Sequence, residues 1–100
     1  MRADHFLAQQ LQIIQERGEE RDATDGERSM AATVKAFNAM FGHNITEEQG
    51  WQFMVLLKMA RSKGGKFRAD DYSDQTGYSA LAGECAARTR ANTISLSGTK

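Results

Sequence analysis

The sequence predicts an all-α protein, a compact bundle of four main helices with a loose C-terminal tail. Apolar residues recur at helical spacing, the alternation typical of half-buried strands is absent, and the 100 residues include no proline. Apolar residues make up 40% of the chain, enough for one core. We therefore expect a single helical domain over residues 1–90 and a flexible tail over 91–100, where no helical stripe continues.

The first helix is predicted from about Asp4 to Arg17, ending at Gly18 because glycine commonly follows a helix. A polar, glycine-containing loop is expected to follow over residues 18–26. The apolar stripe of this helix is formed by Phe6, Leu7, Leu11 and Ile14.

The second helix is predicted from about Glu27 to Phe41, with Gly42 after its end. Spacing of three and four residues places its large apolar side chains on one buried stripe. That stripe is formed by Met30, Val34, Phe37 and Phe41.

The third helix has the clearest start signal in the chain. Thr46 is the predicted N-cap, and Gln49 stands three residues later, the spacing of a capping box. The helix should run from Glu47 to Ser62. Because "WQFMVLLKMA" is apolar on nearly all sides, we expect this to be the central, most buried helix, with Leu56 in the core.

The fourth helix is predicted from about Asp70 to Arg90. Its second half carries small residues that allow another helix to approach closely, within the bundle or across a homodimer interface. A glycine in a helix interior costs about 1 kcal/mol relative to alanine, a cost that close packing would offset. These small residues are Ala80, Ala82, Gly83, Ala86 and Ala87.

Charge and composition argue against several classes of protein. Thirteen basic and thirteen acidic residues cancel, which removes any global attraction to nucleic acid or an anionic membrane. No apolar run approaches the roughly 20 residues of a membrane span. The single cysteine excludes an intrachain disulfide and a cysteine-based zinc site. We expect a cytoplasmic protein that binds neither membrane nor nucleic acid.

Three side chains at the start of the fourth helix share one face: Asp71, Asp74 and Tyr78. The two carboxylates could bind Mg²⁺ with further oxygen ligands from the end of the first helix, where Glu16 and Glu19 are candidates. Alternatively, both aspartates complement the helix dipole and need no metal. Tyr78 is either a partner-binding side chain or a core residue.

A basic run follows the apolar part of the third helix. Between residues 58 and 68 there are five bases and no acid. These cations could hold a phosphate or an acidic partner, or the first two could complement the helix C-terminus and pair with Asp71 or Asp74. The candidate phosphate- or partner-binding residues are Lys58, Arg61, Lys63, Lys66, Arg68 and Tyr78.

Two quoted stretches resemble a family of small helical proteins of tailed phages and prophages. They are "GERSMAATVKAFNAMFGHNITEEQGWQFMVLLKMARS" and "DDYSDQTGYSALAGE", and the similar part covers about Gly26 to Glu84. The resemblance implies phage origin and action in the host cytoplasm. Its most specific residues lie in "LLKMAR" and in a DxxDxxGY pattern, namely Lys58, Arg61, Asp71, Asp74, Gly77 and Tyr78.

The chain also resembles, more distantly, the MazG-like all-α nucleoside triphosphate pyrophosphatases. That family binds magnesium through an ExxE motif and a later ExxD motif, which implies Glu16 with Glu19 and Asp71 with Asp74 as ligands here. The chain departs from the pattern, because Gly18 interrupts the first motif and aspartate opens the second.

The departures favour a non-enzymatic phage accessory protein without a cofactor. We expect it to be a homodimer that binds a host protein or complex, including one of host defence. The alternative function is a Mg-dependent pyrophosphatase-like enzyme, with Lys58 and Arg61 on the phosphates.

Overall fold

The computed structural model describes the backbone of residues 1–21 and 29–97 and the side chains of residues 1–17 and 29–91. Over these ranges the chain forms four α-helices and no strand, which confirms the predicted all-α bundle. The helices are α1 (Ala3–Arg21), α2 (Ser29–Phe41), α3 (Glu47–Ser62) and α4 (Ala69–Ser97). Within the described residues, none of them combines the length and the apolar character needed to cross a bilayer.

The α2–α3 connection follows the sequence signals closely. Gly42 has a φ of 69°, the left-handed conformation that ends a helix at little cost for glycine. The Gln49 amide donates to Thr46 Oγ1 over 3.1 Å, and the Thr46 amide donates to Gln49 Oε1 over 2.9 Å. The predicted capping box is therefore confirmed, and it sets the first residue of α3.

Two predicted helix ends are wrong. Gly18 does not stop α1, which continues to Arg21, because one interior glycine costs a helix only about 1 kcal/mol. Likewise, α4 continues past Arg90 to Ser97, although whether residues 91–100 are flexible stays a prediction. Most of the predicted loop after Gly18, the predicted start of the second helix at Glu27 and residues 98–100 lie outside the described residues.

The most buried helix is α4, not α3 as predicted. Each of the two packs against two helices, α4 against α1 and α3, and α3 against α2 and α4. In the described part of the chain, α3 buries only Gly50 and Trp51, whereas α4 buries a longer series that includes Asp71, Ser73, Leu81, Ala82 and Cys85. Trp51 on α3 is buried, but Phe53 and Leu56 are 66% and 61% exposed, so the expected burial of Leu56 is wrong. Burial of an apolar helix surface is favourable, but each face is buried only where another helix covers it.

The core lies between α3 and α4. Of the five small residues that the sequence singled out on α4, Ala82 packs in this core with Trp51, whereas Ala80, Gly83 and Ala87 are exposed. Met30 of α2 packs against the same cluster, which extends the core towards the α2 side. The buried core residues are Trp51, Leu81, Ala82 and Cys85.

Two glycines in helix interiors have opposite surroundings. A Cβ built on Gly50 would lie 2.8 Å from Val34 Cγ2 and 2.5 Å from Met30 Sδ, so α2 lies directly against the α3 backbone. A Cβ on Gly83 would meet nothing within 4 Å. The sequence predicted a close helix contact at Gly83, but within the described residues the close contact lies at Gly50 and Gly83 is exposed. A homodimer contact at the small residues of α4 stays a prediction.

Gly50→Ala and Gly83→Ala form a matched pair that tests this packing. Both changes gain helix propensity, but only the first overpacks a helix contact. We expect Gly83→Ala to raise the melting temperature and Gly50→Ala to lower it, with free energies of unfolding about 1–3 kcal/mol apart. Thermal and urea unfolding followed by circular dichroism measures both, and equal stabilities would contradict the packing of α2 on α3.

Candidate functional site

A cavity of about 610 Å³ lies where the end of α3 meets the start of α4. The last two turns of α3, the glycines of the connection and the first residues of α4 surround it. We call it the cationic cavity, because four of its lining residues are basic. Its lining is Lys58, Arg61, Gly64, Gly65, Lys66, Arg68, Asp70 and Asp71.

The connection between the helices gives the cavity its shape. The Lys63 and Gly64 amides donate to the carbonyls of Ala60 and Arg61, both over 3.3 Å, and so close the last turn of α3. Gly65 then takes a φ of 70°, which a side chain would disfavour. The chain reverses within a few residues and brings Arg68 back towards the end of α3.

An ion pair beside the cavity joins the two helices. Lys58 Nζ lies 2.9 Å from Asp74 Oδ2, and the two side chains are only 12% and 20% exposed. Gln10 Nε2 of α1 donates to Asp74 Oδ1 over 3.1 Å. Asp74 therefore links α1, α3 and α4, and the pairing of Lys58 with an aspartate expected from the sequence is present.

Gln10 is a site residue that the sequence interpretation missed. It is buried, and its amide lies over Gly77, where a Cβ would collide with it. One signal pointed to it: Gln10 lies one turn from Phe6 and one turn from Ile14, on the stripe that α1 buries. A polar residue on such a stripe requires a polar partner, which Asp74 provides.

Asp71 differs from Asp74 although the two lie one turn apart. Asp71 is 5% exposed, lines the cationic cavity, and its carboxylate has no hydrogen bond or ion pair with any described residue. Its backbone carbonyl accepts from Gln75 Nε2. Because Asp71 lines the cavity, a cation or a hydrogen-bond donor bound there could pair with its carboxylate.

The other predicted metal ligands are not gathered around Asp71. Glu16 is exposed on α1 and accepts from Gln12 Nε2 over 3.1 Å, while the side chain of Glu19 lies outside the described part of the chain. No group of three or more histidine, cysteine, aspartate or glutamate side chains within the described ranges could hold a metal. A magnesium site that includes Glu16 and Glu19 stays a prediction.

Four of the six predicted binding residues surround the cationic cavity, and two do not. Lys63 is exposed at the C-cap of α3 and does not line the cavity. Tyr78 stacks on Trp51 with ring centroids 5.7 Å apart and lines a different cavity of about 290 Å³ between the helices. The side chain of Tyr78 therefore belongs with the core.

The single cysteine takes no part in this site. Cys85 lies in the α3–α4 core, where burial and, next, the nearby Glu47 carboxylate together raise the pKa of its thiol to about 11. Arg88 Nη2 lies 3.4 Å from Glu47 Oε1 and 3.5 Å from Cys85 Sγ. The raised pKa disfavours the thiolate form that a nucleophilic cysteine requires.

Comparison with known proteins places the chain in one family. The family model of DUF6378, a domain of unknown function, matches residues 6–86, which include the whole cationic cavity and Gln10. The chain belongs to this family. Among curated proteins and among solved structures, nothing matches the chain. The DUF6378 match thus identifies relatives without identifying a reaction, and the function has to be argued from the site.

Asp74→Asn tests the three-helix link, because asparagine keeps the acceptor for Gln10 and removes the charge that pairs with Lys58. Leaving a mostly buried ammonium unpaired should lower the free energy of unfolding by about 1–3 kcal/mol. The control is Asp70→Asn on the exposed side of the same helix turn, which should cost less than about 1 kcal/mol. Urea unfolding measures both, and equal losses would show that the ion pair has no structural role.

Proposed function

We propose that this DUF6378 protein is a non-enzymatic binding protein that holds an acidic group of a protein partner in the cationic cavity. One observation carries the proposal. Arg61, Lys66 and Arg68 converge on one concave site, and none of them has an ion-pair partner among the described residues. Guanidinium and ammonium groups in such a site attract carboxylates, and arginine can bind them through two hydrogen bonds.

The charge distribution supports a local rather than a global attraction. The whole chain has a net charge of zero, so long-range attraction to a polyanion is weak. Lys58 is neutralised by Asp74, and the other three cations of the lining, Arg61, Lys66 and Arg68, form no ion pair within the described residues. Such a site suits an acidic side chain presented by a folded protein better than it suits a nucleic-acid backbone.

The resemblance to phage and prophage proteins supports a proposal about where this protein acts and which kind of partner it binds. In that setting the protein acts in the host cytoplasm, and its partner is a host protein or complex, including one that defends the host. The homodimer expected from the sequence is also part of the proposal. No cofactor is needed for binding of this kind.

Asp71 favours a second candidate function, a Mg-dependent pyrophosphatase-like activity. Asp71 is 5% exposed and lines the same cavity as Arg61, and its carboxylate pairs with no other residue in the described part of the chain. Magnesium sites commonly use one or two carboxylates together with phosphate oxygens of the substrate. A nucleoside triphosphate whose phosphates contact Arg61 and Arg68 could complete such a site at Asp71.

Charge reversal in the cavity tests the first candidate. Tagged protein is used to capture partners from host cells, and each captured protein is identified by mass spectrometry. Arg61→Glu should abolish capture of the specific partner, because it places a like charge against the acidic group. The matched control is Lys35→Glu, an exposed basic residue on α2 that should capture the same partner as the unchanged protein. A partner captured equally by all three proteins would contradict binding in the cavity.

Magnesium titration tests the second candidate. If Asp71 binds the ion, magnesium should stabilise the fold by about 2.7 kcal/mol at a hundredfold excess over Kd. Asp71→Asn should remove that stabilisation, and Asp4→Asn, at an exposed aspartate of α1 outside the cavity, should keep it. Release of pyrophosphate from nucleoside triphosphates, lost in Asp71→Asn, would favour the enzyme over the binding protein. An unchanged melting temperature and no pyrophosphate release would leave the second candidate without support.

A further inference from the structure

Large apolar side chains are exposed along one side of the α2–α3 pair. On α2, Phe37 is followed one turn later by Met40 and Phe41, and on α3, Phe53 is followed one turn later by Leu56. Their exposed fractions run from 38% at Phe37 to 74% at Met40. We call these five residues the α2–α3 apolar face. Such contiguous apolar exposure commonly marks an interaction surface.

An apolar groove runs through this face. It has a volume of about 250 Å³ and lies between the two helices, where Gly50 allows α2 to approach α3. Phe37 and Phe53 stand at its sides, so the groove and the exposed side chains form one continuous surface. The surface thus presents both projecting side chains and a depression that could receive them.

The exposed area of the face determines whether it can support a dimer. Its five side chains are between 38% and 74% exposed. A stable dimer buries about 800 Å² per partner, and an aromatic side chain alone buries about 150–250 Å², so the three phenylalanines with Met40 and Leu56 supply a large share of that area.

We infer that the α2–α3 apolar face is the interface at which two copies of this chain form a symmetric dimer. This inference rests on the homodimer proposed above and identifies the surface at which its two chains would meet. A two-fold dimer needs one self-complementary surface, and this face has projecting rings beside an apolar groove. The five residues of the face carry no charge, so an identical face can approach without repulsion.

A second exposed apolar patch serves as the control. It lies where α1 meets the start of α4, and Leu7, Phe67 and Tyr72 line a shallow cavity there. Rings contact one another in both patches, with the centroids of Phe67 and Tyr72 5.8 Å apart and those of Phe37 and Phe41 5.1 Å apart. Because the second patch lies on a different pair of helices, it provides a control of matched exposure.

Light scattering of single variants tests the inference. The unchanged protein should have twice the chain mass of 11.1 kDa at micromolar concentration. Leu56→Glu should reduce the mass to that of one chain and raise the dissociation constant at least a hundredfold. Leu7→Glu is the control, because Leu7 is 58% exposed and Leu56 is 61% exposed, so it should leave the dimer intact. Met40→Glu repeats the test on α2, and circular dichroism verifies that each variant is folded.

The contradicting outcomes separate the two claims. A monomeric unchanged protein at every concentration would overturn both the homodimer and its interface. A dimer that persists in folded Leu56→Glu and Met40→Glu, or that dissociates only in Leu7→Glu, would overturn the interface and leave the homodimer standing. Arg61→Glu should not change the mass, so failure of the cationic cavity as a binding site is seen independently of the dimer.

Discussion

The arrangement of the bundle depends on the link at Asp74. Its carboxylate accepts a hydrogen bond from Gln10 of α1 and forms an ion pair with Lys58 of α3, so one side chain of α4 holds two neighbouring helices. Because both partners of the ion pair are mostly buried, each would be costly without the other. Gly77, one turn later on α4, lets Gln10 come close enough to take part. The link therefore specifies how α1 and α3 sit on α4.

The same link determines which charges are available for function. Lys58 lies close to the end of α3, so its pairing with Asp74 holds that end against the start of α4 and thereby encloses the cationic cavity. It also neutralises Lys58, leaving Arg61, Lys66 and Arg68 for an acidic ligand. Two carboxylates, Asp70 and Asp71, also line the cavity, and neither forms an ion pair within the described residues. Of the two, the mostly buried Asp71 is the candidate to receive a cation or a hydrogen-bond donor.

Local signals in the sequence predicted local structure well. The capping box at Thr46 and Gln49 involves neighbours in sequence, and the ends of α2 and α3 follow from glycine chemistry and helix spacing. Lys58 and the two aspartates were correctly placed on facing helix surfaces. Which of the two aspartates pairs with Lys58 could not be predicted. Asp71 and Asp74 lie on the same face of α4, so the answer depends on how far along α4 the end of α3 reaches.

The remaining errors involve contacts between distant parts of the chain. The apolar surface of α3 predicted that Trp51 and Phe53 are not both exposed, which the buried Trp51 confirms, but the expected burial of Leu56 is wrong. The apolar pattern does not show which faces of the helix have a partner within the chain. Gln10 was missed because its role exists only once α1 lies against α4. Gly18 was misread as a helix end, because the cost of one interior glycine is small enough for neighbouring residues to offset.

The most direct test of the central claim is a titration that reports on every backbone amide of the unchanged protein. The probe is a short polyglutamate peptide, followed by ¹H–¹⁵N nuclear magnetic resonance at low salt. If the cationic cavity binds acidic groups, the amides of Gly64, Gly65 and Arg68 should shift most, and added salt should reverse the shifts. Shifts that centre on Phe37 and Phe53, with Gly64 and Gly65 unmoved, would contradict the assignment of the binding site to this cavity.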